Sequence, residues 1–155
     1  VWQSEEVAAF RERLGIDARP PRRGSLIYLS RVGVQSELDL TPDRETRSEL
    51  IEDLVGSMGG KVVRTQGMNF EDFGKLADQA DTVIADHGAA MCNLLQWRPR
   101  HVIELVSEDW WASDFLVLSR AIGVERYTLL RPATRSNAEL RDTVSNAIAE
   151  TEAMT

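Results

Sequence analysis

Thr82-Val-Ile-Ala-Asp-His-Gly-Ala-Ala-Met-Cys-Asn93 is the stretch on which the reading of this chain turns. Thr82 to Ala85 reads as a short buried strand. Asp86-His87-Gly88 then turns the chain, and Ala89 onward, to about Trp97, reads as a helix. A strand that breaks at a glycine and opens into a helix leaves backbone N–H groups uncommitted at the helix start. Those groups, with the positive end of the helix dipole, attract phosphate. The segment is therefore a candidate cradle for the charged part of a nucleotide or a similar anion.

Outward from this stretch, four more short apolar strands are expected: Leu26 to Ser30, Lys61 to Arg64, Val102 to Val106 and Arg126 to Leu130. Helices are expected between them. Residues 3–14 suit one, with Ser4 as N-cap and Gly15 as stop. Pro42 to Met58 suits a second, capped by Thr41, with Leu50, Ile51, Leu54, Val55 and Met58 as its apolar stripe. Asn69 caps a third that runs to about Ala80, with Phe70, Phe73, Leu76 and Ala77 facing inward. Asp109 to Ile122, closed by Gly123, and a helix from Ser136 toward Ala153 complete the set. Strands that are continuously apolar belong in a parallel sheet covered on both faces. The expected fold class is α/β: a Rossmann-like, doubly wound three-layer α/β/α sandwich with a mostly parallel sheet of about five strands. The natural division is 1–24, an N-terminal helix and an Arg19-Pro-Pro-Arg-Arg-Gly24 linker, and 25–155, the α/β domain with its C-terminal helix. The linker leaves the first helix able to pack on this domain or on a neighbouring one.

The bulk numbers narrow the function classes. The 155 residues are 43% hydrophobic and 28% charged, ordinary values for one globular domain. The net charge of −7 argues against nucleic acid as a partner. No apolar run reaches the roughly 18 to 20 residues of a membrane helix. Cys92 is the single cysteine, so no internal disulfide and no paired-cysteine metal site can form. Val1 is read as a start within a longer protein. The compartment stays open.

Ligands of doubly wound folds bind beyond the carboxyl ends of the strands. That rule selects Ser30 and Arg31, Gln66 and Gly67, Asp86 to Gly88, Glu104, and Ser107 to Asp109. Arg31 offers a forked, permanent charge to a diphosphate, or forms a surface salt bridge. Gly88 and Ala89 offer N–H groups, or make an ordinary tight turn. His87 donates to phosphate or carries a proton, or is structural. Asn93 bonds a ligand or, as favoured here, locks the loop. Glu104 lies in an apolar strand and needs a partner: sugar or ribose hydroxyls, a buried Arg, or backbone N–H. Trp110 and Trp111 suit core packing better than stacking on a base. Asp81, Asp86 and His87 do not make a metal site. Neither G-x-G-x-x-G nor G-x-x-x-x-G-K-[ST] occurs, which argues against a dinucleotide dehydrogenase and a P-loop NTPase.

Asp81-Thr-Val-Ile-Ala-Asp-His-Gly-Ala-Ala-Met-Cys-Asn93 followed by His101-Val-Ile-Glu-Leu105 resembles the H-G-A-G-L-x-N and V-I-E-L blocks of family-61 glycosyltransferases. That family includes protein O-linked N-acetylglucosaminyl- and xylosyltransferases and capsular-polysaccharide biosynthesis proteins. Ile27-Tyr-Leu-Ser-Arg31 is similar to its Y-x-S-R strand end, and Gly60-Lys-Val-Val63 with Phe70 fits its next strand and helix. The resemblance covers about residues 25–130. It implies the C-terminal, nucleotide-sugar-binding half of a two-domain GT-B enzyme that inverts the anomeric centre without a required metal or cofactor. By position, it assigns donor-binding roles to Arg31, His87, Gly88, Ala89, Asn93 and Glu104. The partners implied are a nucleotide sugar and a glycan or protein acceptor, the latter held largely by an N-terminal half outside this chain. No catalytic residue is assigned, because the general base belongs to that half. The compartment implied is cytoplasmic for a capsule-type enzyme and a secretory lumen for a eukaryotic one. Three positions depart from the pattern. Ala90 stands at the usual second glycine, Met91-Cys92 at the usual Leu-Thr, and Arg47-Ser48-Glu49 is the nearest match to an arginine-rich N-E element. These departures motivate the alternative, a non-catalytic structural or interaction domain of the same fold.

Overall fold

A computed structural model describes residues 3–16, 24–33, 42–76, 79–106, 113–131 and 136–153, without the side chains of 42–45 and 152. Five strands, β1 (Leu26–Ser30), β2 (Lys61–Arg64), β3 (Thr82–Asp86), β4 (His101–Leu105) and β5 (Arg126–Leu130), form one parallel sheet in the order β2-β1-β3-β4-β5. The α/β/α sandwich expected from the apolar strands is what forms.

Helices α1 (Ser4–Arg13), α3 (Phe70–Gly74) and α4 (Asp114–Ile122) cover one face, together with a 3₁₀ helix (Ala89–Leu95). Helices α2 (Pro42–Ser57) and α5 (Asn137–Glu152) cover the other. Handedness explains the split. Right-handed crossovers that run in opposite directions along the sheet must lie on opposite faces. The β1-to-β2 connection runs one way and carries α2. Those from β2 to β3, β3 to β4 and β4 to β5 run the other way and carry α3, the 3₁₀ helix and α4.

Each face buries its own core. Ile27, Leu29, Val83 and Val102 meet Phe73, Leu94 and Leu118 on the first. Tyr28, Ile84 and Ile103 meet Ile51, Val55 and Val144 on the second. Val7 of α1 is buried in the first core, so this helix packs on the α/β domain itself.

Several ends form as the local chemistry dictates. Asn69 Oδ1 accepts from the Asp72 N–H at 2.9 Å, and Ser136 makes a capping box with Glu139. Gly59, at φ 75°, ends α2 in a Schellman turn: Gly60 N–H donates to Val55 O and Gly59 N–H to Gly56 O.

Other expectations are corrected. Ser4 opens α1 from inside; Gln3 is the N-cap, with no side-chain cap bond. Helix α3 ends at Gly74 rather than near Ala80, since glycine is a poor helix former, and Phe70 is 52% exposed. Met58 falls just past α2 and is 41% exposed. Helix α4 begins at Asp114, with Ser113 as its N-cap. Thr41, Ala77, Ser107 to Asp109, Trp110, Trp111 and all of the linker but Gly24 lie outside the described residues.

The amino-terminal edge of the sheet is fastened at Asp81. Its carboxylate receives the Arg100 fork at 2.7 and 2.8 Å and the Gly24 N–H at 2.8 Å. Its carbonyl accepts from the N–H groups of Arg100 and His101. Burial, the largest single influence, works to raise the Asp81 carboxyl. The Arg100 and Gly24 donors together outweigh it and hold the group below its usual value.

Candidate functional site at the β1/β3 switch

In the order 2-1-3-4-5 the direction of winding reverses between β1 and β3. The crevice beyond their carboxyl ends is where such folds take a ligand. The residues there are Ser30 and Arg31 at and after the end of β1, and Asp86, His87 and Gly88 at and after that of β3. Strand alternation sends them to two sides of the sheet.

On the α2 side, Asp86 is 1% exposed. It accepts from Tyr28 Oη at 2.9 Å, Arg47 Nη2 at 2.7 Å and, more distantly, Ser48 Oγ at 3.3 Å. Ionised carboxylates only accept, and three donors account for this buried one. Burial first, then the charge of Asp86, pushes the Tyr28 phenol well above its ordinary value, so it stays a donor. Beside this cluster, Ser30 Oγ donates to Glu52 at 2.5 Å, and Arg64 reaches the same carboxylate with two bonds. Asp86 is thus a fastener beneath the crevice. Sequence inspection missed its partners: Tyr28 and Arg47 lie 58 and 39 positions away.

On the opposite side, Glu104 of β4 is 1% exposed. His87 Nδ1 lies 2.5 Å from its Oε1, and the Tyr127 hydroxyl donates to its Oε2. Within the protein these two groups partner Glu104, and neither is an arginine or a backbone N–H. Phe115 of α4 meets the His87 ring edge-on, centroids 5.1 Å apart. Tyr127 was not singled out from sequence. Its only signal is a tyrosine in the strand beside Glu104's.

Over the edge of the sheet, Arg31 Nη1 donates to the His87 carbonyl at 3.1 Å. Gly88 has φ 154°, and a Cβ built there would lie 2.7 Å from Arg31 Nη1. The backbone angle is what calls for glycine here, and the missing Cβ lets the guanidinium lie this close. Arg31, His87, Gly88 and Glu104 are brought together. Ala89 is exposed at the start of the 3₁₀ helix. Asn93 is turned into the helix, donating to Ala90 O at 2.9 Å and accepting from Gln96 Nε2 at 3.2 Å. Both bonds lie within the helix and its C-cap.

The helix itself differs from the expected one. It is 3₁₀ and seven residues long. Met91, Leu94 and Trp97 recur every third residue and are all fully buried. Side chains three apart eclipse in a 3₁₀ helix, so this spacing lines one inward face that an α-helix would splay. Trp97 Nε1 fixes the far end by donating to Phe73 O at 2.8 Å. The ladder opens with Met91 N–H donating to Gly88 O, so the N–H groups of Ala89 and Ala90 lie ahead of it. A short 3₁₀ helix carries a smaller aligned dipole than an α-helix from Gly88 to Trp97 would. The positive groups at this end of the crevice are then chiefly the Arg31 guanidinium and local N–H groups.

A cavity of about 240 Å³ lies at the other, amino-terminal edge, lined by Leu26, Gly60, Lys61 and Gln79 among others. Its place opposite the strands' carboxyl ends makes it the weaker ligand site for this fold. Among the described residues no three His, Cys, Asp or Glu side chains are grouped to hold a metal ion, and no helix is long and apolar enough to cross a membrane. No protein-family model matches the chain, and no curated protein matches it.

Proposed function

We propose that the β1/β3 crevice binds the diphosphate of a nucleotide sugar. The chain is then the donor-binding domain of an inverting, family-61-like glycosyltransferase that transfers sugar to a glycan or protein acceptor. The observation that carries the reading is the packing of Arg31 against Gly88 at the switch point. A fixed cation beside backbone N–H groups stabilises charge that develops on a leaving nucleoside diphosphate. In this reading His87 bonds phosphate or donor sugar. Glu104, with both oxygens engaged, acts through His87 rather than on a sugar hydroxyl. Gly88 and Ala89 admit the phosphate, and Asn93 holds the shape of the turn. The isolated chain binds donor weakly and transfers little or nothing.

The second reading keeps the fold without a ligand. It is favoured by Ala90 and Cys92 at the positions of the resembled motif's glycine and threonine, and by the brevity of the 3₁₀ helix. Calorimetry and amide chemical shifts with nucleoside diphosphates and sugar nucleotides separate the two. Donor binding predicts shifts at Arg31 and His87 to Ala90 that vanish in Arg31→Ala. No heat and no shift at millimolar ligand would leave the structural domain standing.

A further inference from the structure

We propose that Tyr127 is a positioning residue of this site, acting through Glu104 to fix which nitrogen of His87 carries the proton. The proposal rests on the donor-binding reading for its purpose, though not for its geometry.

Glu104 sits in β4 between Ala85 of β3 and Leu129 of β5, and is buried. A carboxylate removed from water needs donors, and two converge on it from the flanking strands: His87 just past β3 and Tyr127 in β5. Burial, then the hydrogen bond to Glu104 and its charge, pushes the Tyr127 phenol far above the ordinary value of 10. The phenol therefore keeps its hydrogen and can only donate to this carboxylate. With Oε2 occupied in that way, Oε1 faces His87 Nδ1 at 2.5 Å. A carboxylate accepts only, so Nδ1 carries the hydrogen, and in the neutral ring Nε2 does not. Phe115 packs against the His87 ring, centroids 5.1 Å apart, and limits a ring turn that would take Nδ1 away from Glu104. In the donor-binding reading Nε2 takes up a proton from solvent and donates it to a phosphate oxygen, while the Nδ1 hydrogen stays bonded to Glu104. A ring of mixed tautomers would present that nitrogen correctly only part of the time.

The test uses the full chain with ¹⁵N-labelled histidine rings and no ligand. Long-range proton–nitrogen spectra of the neutral ring identify the tautomer directly. We expect wild-type His87 to show protonated Nδ1 and bare Nε2. In Tyr127→Phe, both nitrogen shifts should move toward each other as the two tautomers mix. Glu104→Gln should mix them too, and serves if the first variant folds poorly. A wild-type ring protonated at Nε2 overturns the proposal, as does a wild-type pattern retained in the folded variants. A second arm titrates uridine diphosphate, with an expected weakening of about tenfold in Tyr127→Phe. A tautomer that moves in a protein that binds no diphosphate supports the relay and removes the donor-binding reading. A diphosphate bound equally by both proteins, over an unmoved tautomer, removes the relay alone.

Discussion

Arg31 Nη1 donates to the carbonyl oxygen of His87 at 3.1 Å, bridging the end of β1 and the turn after β3. These are the two strands between which the winding reverses. The bond places a guanidinium over Gly88, and the first prediction follows from it. Gly88→Ala adds a Cβ 2.7 Å from Arg31 Nη1 at a backbone angle that side chains disfavour. The arginine tip can swing aside, so the steric part is cheap and the backbone part is not. We expect a stability loss of roughly 1–3 kcal/mol by urea denaturation. Loss of nucleoside diphosphate binding should accompany it. Unchanged stability would show that the turn is less constrained than the geometry implies.

Asp86→Ala should be among the most damaging single changes in the chain. It leaves the partly buried Arg47 and the buried Tyr28 hydroxyl without their acceptor. Breaking a buried ion pair from one side costs about 3–5 kcal/mol. Tyr28→Phe removes one bond and keeps the pair, so about 1 kcal/mol is expected. Equal losses for the two variants in matched denaturant titrations would argue that the carboxylate is not the centre of this cluster.

Asn93→Ala separates a structural from a ligand role at that position. It removes the bonds to Ala90 O and from Gln96. At about 0.5–1.5 kcal/mol each, the expected loss is roughly 1–3 kcal/mol. Nucleoside diphosphate affinity should change far less than in Arg31→Ala. A variant of wild-type stability that no longer binds ligand would return Asn93 to the ligand.

His101 predicts an acid-sensitive fold. It is 2% exposed, and neither ring nitrogen has a hydrogen-bond partner among the described residues. Burial, then the Arg100 charge, lowers its pKa below the ordinary 6.5. Between the two values the unfolded chain binds the extra proton and the folded chain does not. This contribution to stability is therefore complete above about 6.5. It is lost as pH falls below that value, and levels off once folded His101 is protonated. Urea midpoints at pH 7.5 and 5.5 should fall further for wild type than for His101→Phe. Parallel pH profiles would exclude His101 as the source.

Much of the framework is written locally. The runs at 26–30, 61–64 and 126–130 are strands at those residues, and those read at 82–85 and 102–106 agree to within one residue at each end. Five short apolar segments separated by helical ones have few ways to bury both faces. The site is less legible because its side chains meet across strands. Nothing within a few residues of Glu104 announces His87, 17 positions before it, or Tyr127, 23 after. The 3₁₀ helix is an intermediate case. The Met91, Leu94, Trp97 spacing is present in the sequence, but an alanine-rich start favours α, and only packing under the sheet selects the three-residue period.

What the amino-acid sequence determines alone is the α/β class, the parallel sheet and the rule that points to Arg31 and His87-Gly88, because backbone propensity and apolar patterning act over a few residues. Tertiary structure decides the strand order, the two buried carboxylate clusters and the 3₁₀ form of the helix after Gly88. Each of these depends on which distant side chain supplies a hydrogen-bond donor or fills a volume. That is settled only when the crossovers have brought β1, β3, β4 and β5 side by side.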